Sequence, residues 1–248
     1  MASNLSVKGK RILITGASSG LGQHFARLLA GEGAHLILAA RRLDRLQAFA
    51  DTLDGEVAPV CIRFDVTDAT SRQDLAARID SLDVLINNAG IVRPGPAAEH
   101  CAEDWNAVMD TNLNGIFFLS QALLSALRQS SGSIVNIASI LGLRQAGGVV
   151  SYAVSKAGVI QLSKTLALEW ARYGVRVNTL APGYIETEFN ADFWPTQAGQ
   201  ALINRIPQRR LGQLTDLDGP ILLLCSDASR YMTGSVLAVD GGHLVNTL

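Results

Sequence analysis

The feature that most restricts the possible folds of this chain is an alternation of short apolar runs with segments of helical pattern. The runs are continuously apolar and rich in β-branched residues, as is typical of parallel strands that are buried on both faces. The alternation predicts βαβ units and an α/β fold with one doubly wound parallel sheet. The predicted strands are Arg11–Thr15, His35–Ala40, Ala58–Phe64, Val84–Asn87, Ser133–Ala138, Val175–Leu180 and Val236–Val239. The predicted helices lie near Gly20–Gly31, Arg42–Leu53, Ser71–Ile79, Ala102–Arg128, Tyr152–Tyr173 and Asp216–Ser226.

Composition narrows the class of protein. The 248 residues are 48% hydrophobic, which predicts a large core and excludes a disordered chain. With 21 Lys+Arg against 22 Asp+Glu, the net charge of −1 favours neither nucleic acid nor an anionic membrane as a partner. No linker divides residues 1–248, so we expect one domain. No apolar run suits a signal peptide or a membrane span, so we expect a cytoplasmic protein. Cys61, Cys101 and Cys225 are widely spaced and indicate buried apolar side chains rather than metal ligands.

A glycine-rich turn follows the first predicted strand directly and opens a helix. Gly16 permits a tight turn, Gly20 lets the backbone approach a pyrophosphate, and Gly22 permits close packing of helix on strand. Ser18, Ser19 and Leu21 belong to the same turn. Because the N–H groups of a helix start favour phosphate oxygens, the turn is a candidate dinucleotide site, although its GxxxGxG spacing differs from the common GxGxxG.

The same residues also fit the G-x-S-x-G elbow of α/β-hydrolases, with Ser18 as the nucleophile. The elbow of that class follows a central strand, whereas this turn follows the first. The only convenient histidine, His243, has its acid, Asp240, three residues away rather than well upstream. The hydrolase is therefore the weaker alternative.

The end of the second predicted strand indicates which dinucleotide is bound. A carboxylate that accepts bonds from the ribose hydroxyls of NAD is expected about 20 residues after the glycines, but Arg41 and Arg42 occupy this place. Since arginine pairs with phosphate, NADP(H) is favoured, with NAD(H) possible. Asp65 and Val66 follow the third strand and are candidates for contacting adenine. After the fourth strand, Asn88, Ala89 and Gly90 are placed to close over the cofactor, unless they form a structural turn.

A tyrosine and a lysine suited to proton transfer lie four residues apart on a predicted helix. Tyr152 and Lys156 therefore share one face of that helix. A phenol has a pKa of ~10, and a neighbouring ammonium is expected to lower it, so that Tyr152 acts as an acid toward a carbonyl or a base toward an alcohol. Ser139 follows a predicted strand at the edge where α/β sheets bind ligands, and its hydroxyl is placed to orient the substrate oxygen.

Together these motifs make the sequence closely resemble the short-chain dehydrogenase/reductase family. The shared features span nearly the whole chain and include the final Val239-Asp240-Gly241-Gly242. They are Thr15–Gly22, Asn87–Gly90, Asn112, Ser139, Tyr152, Lys156 and Pro182-Gly183. The resemblance implies a Rossmann fold with seven strands in the order 3-2-1-4-5-6-7.

The resemblance also implies roles for individual residues. It makes Asn112, Ser139, Tyr152 and Lys156 a catalytic tetrad, in which Lys156 also holds the nicotinamide ribose. Asn112 would kink its helix and hold a water that relays protons to Lys156. Thr187 would touch the nicotinamide carboxamide or a phosphate of the cofactor, and Pro182, Gly183 and Ile185 would also bind the cofactor.

The expected substrate is a ketone or secondary alcohol with an apolar or acyl body. Leu141 and Val149 flank the tetrad, and residues 187–213 form an irregular insertion that is either a lid or a surface excursion. The insertion supplies three candidate aromatic contacts, Phe189, Phe193 and Trp194. The chain is broadly similar to 3-oxoacyl thioester reductases, although residues 146–151 differ from the Gly-x-x-Asn-like stretch of those enzymes. Arg128 and Arg172, near helix ends, are either contacts for an acidic carrier protein or solvated surface residues.

Two further expectations concern activity and assembly. A Rossmann domain can bind a dinucleotide as a sensor without turnover, but a sensor has no need of Tyr152 together with Lys156. The helices near 102–128 and 152–173 carry more apolar residues than one sheet-facing stripe requires. We therefore expect a homo-oligomer, a tetramer or a dimer, as the resemblance also implies.

Overall fold

The computed structural model describes residues 5–187 and 191–246. Its strands form one seven-stranded parallel sheet in the order β3-β2-β1-β4-β5-β6-β7, which confirms the predicted topology. The chain order reverses between β1 and β4, where open α/β sheets form a crevice at their carboxyl edge. The strands are β1 Arg11–Thr15, β2 His35–Ala40, β3 Val60–Arg63, β4 Val84–Asn87, β5 Ser133–Ile137, β6 Arg176–Pro182 and β7 Val236–Val239.

Helices cover both faces of the sheet because every central strand is apolar on both sides. In β1, Ile12 and Ile14 join one core cluster, while Leu13 joins the cluster on the opposite face. Residues of α1, α2 and α9 complete the first cluster, and residues of α3, α5, α6 and α7 complete the second. The helices are α1 Gly20–Gly31, α2 Leu43–Ala50, α3 Ala69–Ala76, α4 Ala102–Met109, α5 Gly115–Ala122, α6 Leu124–Ser130, α7 Val150–Trp170, α8 Gln197–Ile203 and α9 Asp218–Cys225.

Three strands, β3, β5 and β6, differ from the sequence prediction by one or two residues at their ends, and the largest shifts are in β3 and β6. β3 begins at Val60 rather than at Ala58, since Pro59 has no N–H to give to the ladder with β2. β6 runs two residues beyond Leu180, because Ala181 and Pro182 pair with β7. Both strands keep their predicted places in the sheet.

The predicted helix over 102–128 is wrong as a single element. It is divided into α4, a π-helix over Asp110–Asn114, α5 and α6. Gly115 begins α5 where the helix passes against the end of β3, and a Cβ there would lie 2.6 Å from Val66 Cγ2. The segment thus changes its winding where it packs against the turn that follows β3.

The insertion after β6 is bonded to the rest of the molecule at several points. Ile185 forms a parallel bridge with Gly212, which joins the two ends of the insertion. Gln208 N donates to Gly241 O over 3.1 Å, and Asn246 Nδ2 donates to Arg205 O over 2.6 Å. The described parts of the insertion are therefore held against the C-terminal segment.

Candidate active site

The glycine turn lies at the carboxyl end of β1, as predicted. Gly16 has φ +65°, and a Cβ on it would lie 2.9 Å from Ala89 Cα, so only glycine fits there without displacing the next strand's turn. A Cβ on Gly22 would collide with Gly16 O and Asn88 Nδ2. Gly20, at φ +54°, faces open space, which leaves the backbone free to approach a ligand.

The turn after β4 is bonded to β1 by its own polar groups. Thr15 Oγ1 accepts from the backbone N of both Asn88 and Ala89 over 3.1 Å, and Asn88 Nδ2 donates to Thr15 O over 2.9 Å. These bonds hold the two loops on either side of the crevice at a fixed separation. Asn88 and Ala89 therefore form a structural turn, and together with Gly90 they also line the crevice, where they can contact a ligand.

A cavity of about 270 Å³ opens beside the glycine turn. Arg41 and Arg42 lie exposed at its wall, and Asp65 and Val66 also line it. Among the residues predicted to bind a cofactor, the cavity is lined by Gly16, Ser18, Ser19, Leu21, Arg41, Arg42, Asp65, Val66, Asn88, Ala89 and Gly90. Phe64, Ile91 and Thr111 also line it, and the sequence analysis did not single them out.

The four predicted catalytic side chains come from three neighbouring elements. Ser139 follows β5, where its Oγ accepts from Leu141 N over 3.1 Å. Tyr152 and Lys156 lie in the first turns of α7, and a side-chain hydrogen bond joins Tyr152 to Ser139. Lys156 Nζ donates to Ile137 O over 2.8 Å, which fixes the ammonium against the end of the same strand.

Asn112 is fully buried in the π-helix, and its amide group is completely engaged. Its Oδ1 accepts from Ile91 N over 2.8 Å, and its Nδ2 donates to Ile91 O over 2.9 Å and to Ser155 Oγ over 3.1 Å. Ser155 Oγ in turn donates to Tyr152 O over 2.7 Å. The π-helix therefore links the loop after β4 to the helix that carries Tyr152. π-Helical turns are frequent at functional sites.

Burial controls the protonation of the tyrosine and the lysine. It raises the pKa of Tyr152; the hydrogen bond with Ser139 acts in the opposite direction, and Tyr184 raises the pKa further. Burial also lowers the pKa of Lys156 from 10.5 to about 8. The expected lowering of the pKa of Tyr152 by Lys156 is therefore wrong for this structure. Burial of the phenol outweighs the hydrogen bond with Ser139, and Lys156 Nζ is bonded to Ile137 O, 5.5 Å from the centroid of the Tyr152 ring.

A larger cleft of about 470 Å³ contains the reactive side chains. Its lining includes the predicted residues Ser139, Leu141, Val149, Tyr152, Lys156, Pro182, Gly183, Ile185 and Thr187. The cleft shares Leu21, Asn88, Gly90 and Ile91 with the cavity at the glycine turn, so the two form one continuous groove. Its remaining lining is mainly apolar and adds Val92, Ile140 and Tyr184.

Two of the aromatic residues predicted in the insertion, Phe193 and Trp194, are not among the residues that line this cleft. Trp194 is buried, and its ring lies 5.8 Å from the ring of Tyr184, while Phe193 is half-exposed and packs on Trp194 at 5.1 Å. Phe189 lies outside the described residues. Tyr184 is thus the aromatic contact that the sequence analysis missed, although its position directly after Pro182-Gly183 was a usable signal.

The arrangement does not support the hydrolase alternative. Ser18 lines the cavity of the glycine turn, whereas the ring of His243 packs on Tyr184 at 5.5 Å. In residues 5–187 and 191–246 there is no hydrogen bond between Ser18 and His243.

The same residues contain no group of His, Cys, Asp and Glu that could hold a metal. Over these residues, every helix is too short or too polar to cross a bilayer.

Comparison with known proteins gives the same family that the motifs resemble. The family model described as Enoyl-(Acyl carrier protein) reductase matches residues 16–243. The 3-oxoacyl-[acyl-carrier-protein] reductase FabG of Thermotoga maritima is 39% identical over 97% of this chain and 100% of its own. The structure of a short-chain type dehydrogenase/reductase from Mycobacterium marinum is 36% identical, with a TM-score of 0.89 over 96% of this chain and 97% of that one.

A second solved structure is that of a gluconate 5-dehydrogenase from Burkholderia cenocepacia in complex with NADP and tartrate. It is 34% identical, with a TM-score of 0.91 over 98% of both chains. These identities exceed 30% over nearly the whole length of the chain, and the sheet order and the residues of the groove agree with the same family. The chain belongs to the short-chain dehydrogenase/reductase family of oxidoreductases.

Proposed function

We propose that this protein is an NADP(H)-dependent oxidoreductase that interconverts an apolar ketone and its secondary alcohol. The observation that carries the proposal is the continuous groove. At one end it presents Arg41 and Arg42, and at the other it presents Ser139, Tyr152 and Lys156. A dinucleotide that spans the groove would therefore bring its nicotinamide to the only tyrosine and lysine that the sequence pairs on one helix face.

The residues of the groove fit such a cofactor. Open space in front of Gly20 and the N–H groups at the start of α1 suit a pyrophosphate. Two guanidinium groups at the wall suit the 2′-phosphate of NADP, and NADP is bound in the gluconate 5-dehydrogenase relative. NAD(H) remains the second possibility, because Asp65 lies in the same cavity. Bound NADPH would supply the hydride, and the chain supplies position and proton transfer.

The proton-transfer roles follow from the contacts of the tetrad. Because burial raises its pKa, Tyr152 is a neutral phenol near pH 7 and holds the proton that a reduced carbonyl oxygen requires. Ser139, bonded to Tyr152, offers a hydroxyl to the same oxygen. Lys156, with a pKa of about 8, is placed beside Asn112 and Gly90 to return a proton to Tyr152. Asn112 acts by holding the loop and the helix together, and we propose that its backbone positions a relay water.

The apolar lining of the cleft favours ketones over free sugars. Its apolar lining includes Ile91, Val92 and Leu141, and among the described residues Lys156 is the only charged side chain that lines it. A carboxylate or a polyol would lose its hydration there with few partners in return. Pockets of this kind bind the apolar body of a substrate and leave orientation to a few polar groups.

A 3-oxoacyl thioester on a carrier protein is the second candidate substrate. Arg128 and Arg172 both stack on the ring of Tyr173, at 4.4 and 4.8 Å, and so form one basic patch. Such a patch suits an acidic carrier, and a 3-oxoacyl-[acyl-carrier-protein] reductase is among the relatives. If this candidate is right, Arg172→Glu will weaken activity on a carrier-bound thioester but not on the same acyl group bound to coenzyme A.

Replacement of Tyr152 by phenylalanine tests the proposed function. Tyr152→Phe is expected to lower kcat by about 10²–10⁴, the range for loss of a general acid, with NADPH binding unchanged. Turnover is followed by the absorbance of the nicotinamide across a panel of apolar ketones. The matched control is Tyr231→Phe, since Tyr231 is fully exposed. Near-normal turnover in Tyr152→Phe would refute the assignment, and NADPH binding without turnover by the wild type would favour the sensor.

A further inference from the structure

Tyr184 stands between two cavities. It lines the catalytic cleft, and together with Ile185 it also lines a smaller cavity of about 160 Å³. That second cavity is bounded on its other sides by residues of the insertion, of the turn that leads into α9 and of the C-terminal segment, and its lining is mixed. The apolar part is Ile206 and Val239, and the polar part includes Gln208, Arg210, Asp216 and Asp240. Tyr184 therefore borders both the catalytic cleft and a space that the cleft does not include.

Packing from three segments fixes the position of the Tyr184 ring. Trp194 contacts it edge-on at 5.8 Å between centroids, and His243 lies at 5.5 Å. His243 is buried, and its carbonyl accepts a hydrogen bond from Arg144, which follows the Ser139 loop. The backbone of Tyr184 accepts from Gly212 N over 2.9 Å. A ring held in this way forms a wall rather than a swinging gate.

The phenol group of Tyr184 also faces the reacting groups. The two phenols are close enough that Tyr184 raises the pKa of Tyr152. Burial raises the pKa of Tyr184 itself, while the charge of Arg144 lowers it. A ketone whose oxygen is held by Tyr152, and whose body extends toward Tyr184, would therefore meet the Tyr184 side chain within the cleft.

We propose that Tyr184 is the specificity-determining residue of the cleft, and that its ring limits the length of the substrate by closing the cleft off from the smaller cavity. This inference rests on the proposed function. It implies that the wild-type enzyme prefers compact ketones. It also implies that removal of the ring joins the two cavities and admits a longer chain.

Tyr184→Ala and Tyr184→Phe distinguish the effect of the ring from the effect of the hydroxyl group. The ratio of kcat/KM for 2-nonanone to that for 2-pentanone is measured with NADPH. Each buried methylene changes affinity by about fourfold, so the four additional methylenes are expected to raise the ratio at least about tenfold in Tyr184→Ala. Tyr184→Phe keeps the ring and is expected to leave the ratio within about twofold of the wild type. Tyr231→Ala is the control for loss of an exposed tyrosine.

A binding measurement makes the test independent of turnover. Carboxamides present a carbonyl oxygen but are not reduced, so the affinities of propanamide and heptanamide for the enzyme–NADPH complex are compared by calorimetry. Tyr184→Ala is expected to favour heptanamide by at least about tenfold more than the wild type does. Tyr184→Leu, which keeps more of the packing, gives the same comparison should the alanine variant fail to fold.

The possible failures are distinguishable. If the wild type reduces ketones and a folded Tyr184→Ala or Tyr184→Leu keeps the wild-type ratios, the inference about Tyr184 is overturned while the proposed function stands. A change of the same size in Tyr184→Phe would overturn it as well, because the hydroxyl rather than the ring would then set the selectivity. If the wild type with NADPH neither reduces ketones nor binds either amide, both proposals fail.

Discussion

At the scale of the residue, the buried ammonium of Lys156 is the least stable feature of the site. Its side chain is almost inaccessible to solvent, and none of the ion pairs found among the described residues involves it. Its hydrogen bond to Ile137 O offsets only part of the cost of removing a charge from water. The lowering of its pKa to about 8 expresses that cost.

We expect Lys156→Met to stabilise the protein without cofactor at pH 7 while abolishing turnover. A fall of the pKa from 10.5 to about 8 corresponds to about 3 kcal/mol in the free energy of unfolding. Methionine fills a similar volume without charge, so a gain of about 1–3 kcal/mol is expected from urea unfolding. Lys164→Met, on the exposed side of the same helix, is the control and is expected to change stability by less than about 0.5 kcal/mol.

The gain in the free energy of unfolding from Lys156→Met should decrease as the pH rises. Below pH 8, lysine is protonated in both the folded and the unfolded wild type, and the folded state carries the full cost of the charge. Between pH 8 and about 10.5 the folded state releases the proton while the unfolded state keeps it, so the wild type gains stability as the pH rises. The difference between variant and wild type must therefore shrink over this range; a constant difference would show that the charge is not its cause.

The choice of coenzyme is also decided at single residues. In the Arg41→Ala/Arg42→Ala variant, KM for NADPH is expected to rise about 10–100-fold, because charge-assisted bonds to a 2′-phosphate are lost. KM for NADH should change little, since NADH lacks that phosphate. The comparison uses initial rates with one ketone, and Arg45→Ala, in the nearby helix α2, serves as the control for loss of positive charge. Equal effects on the two coenzymes would exclude a phosphate contact.

Residue identities were more predictable than their electrostatics. Ser139, Tyr152 and Lys156 could be placed together because strand ends and helix faces follow from periodicity alone. The direction in which the pKa of Tyr152 shifts could not be predicted in this way. The shift depends on burial and on Tyr184, which lies 32 residues further along the chain. The wall at Tyr184 was missed for the same reason, since its partners Trp194 and His243 come from separate segments.

At the scale of the element, the π-helix over Asp110–Asn114 shows where periodicity fails. The sequence around Asn112 has a helical pattern, and nothing local marks the extra residue in the turn. The widened turn is coupled to bonds between Asn112 and the backbone of Ile91, which is 21 residues away. Strands, in contrast, were placed nearly to the residue, because continuous apolar runs are a local signal that burial on both faces requires.

We expect Asn112→Ala to destabilise the protein by about 2 kcal/mol or more and to lower kcat. The substitution leaves the N–H and the carbonyl of Ile91 without their side-chain partners and releases Ser155 from the π-helix. Asn114→Ala is the matched control in the same turn, because Asn114 bonds only to Asp110 and at an exposed site. Chemical unfolding and steady-state rates are measured on both. Equal stability of the two variants would mean that the bonds to Ile91 contribute nothing.

At the scale of the whole molecule, the outer side of α7 carries exposed apolar side chains among polar ones such as Gln161 and Lys164. Leu168 is 82% exposed and Val154 is 42% exposed. They lie 14 residues apart, close to four helical turns, and therefore on one side of the helix. Phe118, on α5, is 43% exposed. Two helices that pack on the sheet through their other faces thus present apolar side chains outward, as an interface between subunits would require.

We therefore propose that a second copy of the chain covers this side of α7, and we expect a dimer or tetramer by sedimentation at micromolar concentration. The variant Val154→Glu/Leu168→Glu would bury carboxylates in such an interface, so it should sediment as a smaller species while keeping its fold. Val57→Glu is the control, since Val57 is exposed beside the edge strand β3, away from α7. A monomeric wild type, or an assembly that the double variant leaves intact, would show that the exposed side chains of α7 have no such partner.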